Sequence, residues 1–249
     1  MRNRDIEMKR HLLYAGLLWA ALTAVGEYLA FTVTFFPAGS AAEAVIIDDA
    51  FRLLMILGTP VFTFALAALI YSVIAFRARG DTVEDGAPIR TSRPVTWLWL
   101  VITTGLAVYV IFNPGLKGIA ELNANPNADL IVQVEARKWA WKFTYPDSNV
   151  TIEDASELVL PVNRRVKFEI TSADVIHGFW VPAFRMKIDA MPGQTNVLYL
   201  TPNRLSASAE DDFNLRLQCA ELCGTGHARM QALVRVVEQA EFEAWLAGK

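Results

Sequence analysis

Apolar positions fall in two regimes along the chain. Residues 12–36 are apolar apart from Glu27 and a few Thr, residues 53–76 carry no charge, and neither do residues 95–112. Each run is about as long as the ~20 residues a bilayer crossing needs, so each predicts a transmembrane helix. A helix buried in a soluble core rarely lacks a polar stripe, which argues against that origin for 53–76. Glu27 would lie near mid-membrane and would need a partner. Pro60, near the start of the second run, can kink it. Pro94 suits the first turn of the third, Trp97 and Trp99 suit an interfacial belt, and Asn113-Pro-Gly ends it.

From Asp129 the period changes to two. Val132, Val134 and Ala136 alternate with Gln133, Glu135 and Arg137; Trp139, Trp141, Phe143 and Tyr145 alternate with Ala140, Lys142 and Thr144. The apolar phase flips at Arg137-Lys138, which predicts a β-bulge or bend. Val166, Phe168 and Ile170, then Val197 and Tyr199, Leu215 and Leu217, and Ala232, Val234 and Val236 extend the pattern. Short alternating strands between Pro, Gly, Asn and Asp breaks predict an antiparallel sandwich or barrel. Residues 238–247 read as a closing helix with Phe242, Trp245 and Leu246 on one face. The expected architecture is an α-helical membrane anchor over residues 1–113, with helices near 12–36, 53–76 and 95–112, and an all-β domain over 114–249.

Composition agrees: 53% of the 249 residues are hydrophobic, too apolar for an ordinary soluble protein of this length. Charge adds an orientation. Arg2, Arg4, Lys9 and Arg10 precede the first run, and Arg77, Arg79, Arg90 and Arg93 lie between the second and third. Glu43, Asp48 and Asp49 lie between the first and second. Basic loops stay in the cytoplasm, so everything after Phe112 is expected outside, on the periplasmic side of a bacterial-type membrane. The first run could instead be a cleaved signal, with Ala38-Gly-Ser-Ala-Ala42 offering small residues. Its apolar core exceeds the ~7–15 residues of a signal core, which favours a retained helix. Membrane lipid is an expected partner and nucleic acid is not.

Both cysteines fall in Cys219-Ala-Glu-Leu-Cys-Gly-Thr-Gly-His-Ala-Arg-Met230. Thiolate, imidazole and thioether are the donors that soft copper prefers. A Cys219–Cys223 disulfide would close too short a loop to restrict the unfolded chain much, and leaves His227 and Met230 without a role. A zinc site favours Cys, His and carboxylate over Met. Covalent haem attachment needs Cys-x-x-Cys-His, which this spacing does not supply.

The motif Cys-Ala-Glu-Leu-Cys-Gly-x-x-His-x-x-Met resembles the copper loop of subunit II of cytochrome c oxidase. His177, in Ala-Asp-Val-Ile-His-Gly-Phe-Trp-Val-Pro, resembles that family's upstream histidine; the chain has only three His, the others being His11 and His227. The resemblance covers about residues 50–240 and implies a cupredoxin-like Greek-key domain. It implies a dinuclear CuA centre of two copper ions bridged by Cys219 and Cys223, with His177 and His227 each capping one copper. Met230 and the backbone carbonyl of Glu221 would be weak ligands. The Glu221 side chain would reach Mg²⁺ or Mn²⁺ at the boundary with subunit I; a hard carboxylate suits Mg²⁺. Trp139 resembles the aromatic where electrons from cytochrome c come in, whereas Trp141 reads as core. Such a centre moves electrons and makes no bonds, so no catalytic acid or base is assigned.

The implied function is that of the electron-accepting subunit of a haem-copper terminal oxidase. It would take electrons from a c-type cytochrome and pass them to subunit I, beside other oxidase subunits, where O₂ is reduced and protons are translocated. Two alternatives stay open: the CuA subunit of a nitric oxide reductase, and a stand-alone membrane-anchored copper or electron carrier. The family's Glu at the start of its second hairpin helix is missing from Thr91-Ser-Arg-Pro-Val-Thr-Trp97. Residues 117–249 hold 17 acidic and 14 basic residues. The acidic clusters Glu153, Asp154, Glu157 and Glu210-Asp-Asp212 would steer a basic cytochrome.

Overall fold

A computed structural model describes residues 2–77, 91–206 and 213–249. Arg79, Arg90 and the Glu210-Asp-Asp212 cluster lie outside the described residues. The described chain forms two compact units, Met1–Thr34 with Asp49–Lys117, and Phe35–Asp48 with Gly118–Lys249.

In the first unit the long helices are α1 (Arg2–Thr32), α2 (Ala44–Ala75, whose first residues belong to the second unit) and α3 (Arg93–Val110). The chain leaves helical geometry at Asn113 (φ −138°, ψ 109°) and re-enters it in α4 (Lys117–Leu122). Three stretches are long and apolar enough to cross a membrane: Ile6–Thr32, Ala44–Ala75 and Arg93–Leu122. Relative to the sequence reading, α1 stops before Phe35 and Phe36, and α2 starts earlier, at Ala44, running through Asp48, Asp49 and Pro60. Polar side chains join α1 to α2: His11 Nδ1 and Tyr71 Oη are 2.7 Å apart, Trp19 donates its indole N–H to Pro60 O at 2.9 Å, and the Thr23 and Thr63 hydroxyls meet at 2.7 Å. Glu27 does not receive the partner it was expected to need; its buried Oε2 has none among the described residues.

The second unit is a sandwich of two five-stranded sheets. One runs β3 (Val150–Ile152), β2 (Ala140–Tyr145), β1 (Leu130–Arg137), β5 (Val166–Ser172), β8 (Asn196–Leu200). The other runs β4 (Glu157–Pro161), β10 (Gln231–Val237), β9 (Arg216–Cys219), β6 (His177–Trp180), β7 (Lys187–Ala190). The sheets are mixed rather than purely antiparallel, because β1 pairs with β5 and β4 with β10 in parallel. Alternation places Val132, Val134, Trp141, Phe143, Phe168, Ile170, Leu217 and Val234 in the core. α5 (Gln239–Ala247) closes one side, with Phe242 buried and Trp245 and Leu246 partly so.

Two strand details differ from expectation. The phase flip at Arg137-Lys138, expected as a β-bulge or bend, is a two-residue hairpin turn: Arg137 pairs with Ala140, so Lys138 and Trp139 form the turn. In β8 the inward residues are Leu198 and Leu200, while Val197 is exposed and Tyr199 only partly buried. That strand lies at a sheet edge.

Residues 35–48 belong to the sandwich by backbone pairing. Ser40 N–H donates to Ala183 O at 2.8 Å, Ala42 N–H to Thr201 O at 2.9 Å, and Asn203 N–H to Ser40 O at 3.1 Å. Buried Glu43 sits 2.7 Å from Arg165 Nη1 and accepts the Thr201 N–H at 2.8 Å. Asp48 is 2.6 Å from Arg185 Nε. These acids, read from sequence only as loop charge, anchor the segment.

Candidate metal centre

Three neighbouring strands of the second sheet bring their ends together at one end of it. His177 opens β6, Cys219 closes β9, and Met230 immediately precedes β10. β6 and β9 pair antiparallel, Phe179 opposite Cys219. Ala220 N–H donates to Gly178 O at 3.0 Å, and Cys219 N–H to Met230 O at 3.1 Å. Gly178 allows this approach, since a Cβ there would meet Ala220 at 3.0 Å. Gly224, at φ +115°, turns the loop back in a conformation L side chains rarely adopt. Successive tight turns, His227 N–H to Gly224 O at 3.1 Å and Arg229 N–H to Gly226 O at 3.0 Å, then carry His227 inward.

The result is a compact donor set. The Cys219 and Cys223 sulfurs are 3.7 Å apart. Cys219 Sγ lies 3.8 Å from His177 Nδ1, and Cys223 Sγ lies 3.6 Å from His227 Nδ1. Met230 Sδ is 4.0 Å from Cys223 Sγ, and the Glu221 carbonyl oxygen is 3.2 Å from Cys219 Sγ. A disulfide would hold the sulfurs at about 2.05 Å. Metal–thiolate bonds of roughly 2.3 Å instead let one ion reach both, so this spacing fits bridged metal. His177, Cys219 and Cys223 form a group that could hold an ion, and all three are buried. His227 is partly exposed and Met230 fully buried.

Burial and the adjacent Cys219 sulfur push the Cys223 thiol up to about 11. Metal binding at Cys223 would therefore release a proton. Asp174 behaves oppositely. Burial opposes its ionisation, but hydrogen bonds from the His177 ring and the backbone N–H groups of Val175 and Lys138 outweigh it, holding the carboxyl at about 2. His177 Nε2 lies 2.8 Å from Asp174 Oδ1, which leaves Nδ1 as the free nitrogen on the sulfur side. Asp174 was not singled out from the sequence; its signal was the spacing Asp-x-x-His, with both residues turned to one point.

Comparison with known proteins adds the family. Residues 148–237 match the family described as cytochrome c oxidase subunit II, periplasmic domain. The probable cytochrome c oxidase subunit 2 of Rickettsia bellii is 30% identical over 215 residues, 79% of this chain and 76% of that protein. The chain belongs to the cytochrome c oxidase subunit II family. It is therefore a subunit of an oxidoreductase, with a helical N-terminal region and a cupredoxin-like β domain. The cytochrome c oxidase subunit 2 of Thermostichus vulcanus is 29% identical over 84% of this chain and 76% of its own. The crystal structure of the periplasmic domain of subunit II of Bradyrhizobium japonicum cytochrome oxidase is 34% identical, covering 49% of this chain and 94% of that one, with a TM-score of 0.44.

Two further residues of this subunit II chain bear on the site. Trp139 is 41% exposed, and its indole N–H donates to Cys223 O at 3.2 Å. Its ring lies on Gly224 and Gly226; a Cβ on Gly226 would come within 2.3 Å of it. Trp141, by contrast, is fully buried, edge-on to Phe179. The Glu221 carboxylate is 2.6 Å from Lys187 Nζ. The first acidic cluster is not free: Glu153 and Asp154 pair with Arg137 and Lys142, and Glu157 with Arg235 and the Trp245 indole.

Proposed function

We propose that the chain is the electron-accepting subunit of a haem-copper oxidase, holding a dinuclear CuA centre through Cys219, Cys223, His177, His227, Met230 and the Glu221 carbonyl. The observation that carries this is the sulfur pair at 3.7 Å with a separate imidazole beside each sulfur. Two bound coppers would supply a one-electron store shared between ions, with little change of bond length on reduction. The chain's own residues do the rest. Strand ends fix the donors before metal arrives, the Asp174 carboxylate fixes the His177 ring, and burial of Cys219, Cys223, His177 and Met230 keeps water off the donors.

Trp139 spans the distance from that buried set to the surface, so it is the point at which donor electrons come in. The Glu221 side chain would serve Mg²⁺ or Mn²⁺ at the boundary with subunit I once Lys187 releases it. The three long helices act as a membrane anchor, and residues 114–249, together with residues 35–48, as a periplasmic domain. A c-type cytochrome is the donor; O₂ reduction and proton translocation take place on the partner subunit.

The test is metal and spin content of the oxidase purified with this chain. Two coppers sharing one unpaired electron are expected, abolished by Cys219→Ser. A single mononuclear copper contradicts the bridging assignment.

A further inference from the structure

Among the described residues, the charge around Trp139 is not what a basic donor needs. Lys138, on the same turn, is exposed and has no carboxylate partner among the described residues. Arg229 is exposed and likewise unpaired, and its backbone N–H bonds to Gly226, against which the Trp139 ring lies. Neighbouring Thr225 and Ala228 are exposed and uncharged, and Ile176, just before His177, is 45% exposed. The nearby carboxylates are occupied. Asp174 takes the His177 ring and the Lys138 backbone N–H, Glu221 takes Lys187, and Glu153 and Asp154 take Arg137 and Lys142.

An apolar centre with unpaired cations at its rim is the complement of a donor with carboxylates round its redox edge. Rim charges of this kind set the association rate and its salt dependence more than the strength of the final complex. We propose that the donor docking on Trp139 is an acidic c-type cytochrome, guided by Lys138 and Arg229, and not a lysine-ringed one. The proposal rests on the electron-accepting role argued above and names the partner's chemistry. It replaces the steering by Glu153, Asp154 and Glu157 that sequence clustering implied, because those carboxylates meet cations of their own chain.

The purified oxidase containing the full chain is given two reduced c-type cytochromes of similar potential, one acidic and one ringed by lysines. With wild-type protein, kcat/KM for the acidic cytochrome should exceed that for the basic one and fall about tenfold as salt rises from low to physiological strength. In Lys138→Glu/Arg229→Glu, KM for the acidic cytochrome should rise about tenfold while KM for the basic one falls. Reduction of the centre by a small neutral mediator should not change. A wild-type preference for the basic cytochrome, or a double variant with both KM values unmoved, overturns the proposal. Should neither donor nor mediator reduce the wild-type centre, the electron-accepting role itself falls, and the proposal with it.

Discussion

Trp139 and Cys223 are joined by one hydrogen bond, indole N–H to carbonyl oxygen at 3.2 Å, across 84 residues of chain. The bond ties a surface aromatic to the backbone of a thiol-bearing residue. Trp139→Ala is expected to slow reduction by cytochrome c by orders of magnitude. Metal content and spectrum should hardly change, since the ring is not a donor to the metal. A small diffusible mediator should still reduce the centre. Stopped-flow reduction by cytochrome and by mediator, compared on one preparation, checks this; equal slowing of both would mean the ring is only a structural cover.

Gly226 gives an independent handle on the same ring. Its φ of −91° suits any residue, yet a Cβ there would meet the Trp139 ring at 2.3 to 2.8 Å. Gly226→Ala should therefore displace the indole without straining the loop backbone. Indole fluorescence should shift and donor-driven reduction should slow, with two coppers retained. Unchanged kinetics would show that the position of the ring does not matter.

Asp174 orients His177 through a 2.8 Å contact to Nε2. Partners of metal-bound imidazoles typically contribute 10–100-fold in affinity, so Asp174→Ala should weaken copper retention by roughly that factor. Competition with a copper chelator measures it. Because the carboxylate also accepts the Lys138 N–H, the same variant should loosen the Trp139 turn.

Glu43 is nearly buried against Arg165, with side-chain exposures of 7% and 15%. Removing one member of a buried pair strands the other, at a cost of about 3–5 kcal/mol. Glu43→Ala should lower the thermal midpoint of the purified full chain markedly, and Asp48→Ala less, its side chain being 29% exposed. Equal small shifts would show that residues 35–48 contribute little.

Trp141 is fully buried, and its indole N–H has no acceptor among the described residues. Trp141→Ala should cost about 3–5 kcal/mol through the cavity it leaves. Trp141→Phe should cost much less, because it also removes a buried unsatisfied donor worth about 1–3 kcal/mol. Denaturant unfolding of the two variants separates these terms.

The donor set was legible because Cys219, Cys223, His227 and Met230 share one loop, and His177 stood out in a chain with three histidines. Trp139 was legible through the family resemblance and through the phase break beside it. The parity flip marked it, but alternation cannot tell a bulge from a two-residue turn, since both shift the phase. Val197 and Tyr199 misled because an edge strand can expose apolar side chains at little cost. Glu43 and Asp48 read as loop charge, since their partners lie 122 and 137 residues away and no local pattern encodes such a pairing. Glu153 and Asp154 looked like a patch because clustering in sequence says nothing about which cations fold beside them.

The pairing of residues 35–48 with the sandwich makes the β domain a composite of two stretches of chain, interrupted by the residues of α2 and α3. A soluble fragment cut after α3 would lack the Glu43 carboxylate and leave Arg165 and the Thr201 N–H bare. The interruption is spatially short, however: a Cβ on Gly118 would touch Ile46 Cγ2 at 3.7 Å. A chain that starts at residue 35, with residue 48 spliced to residue 118 through a brief linker, would omit α1, α3 and all of α2 beyond Asp48 while keeping every residue of this unit. The junction between Asp48 and Gly118 is thus also a seam along which the β domain can be rejoined as one continuous chain.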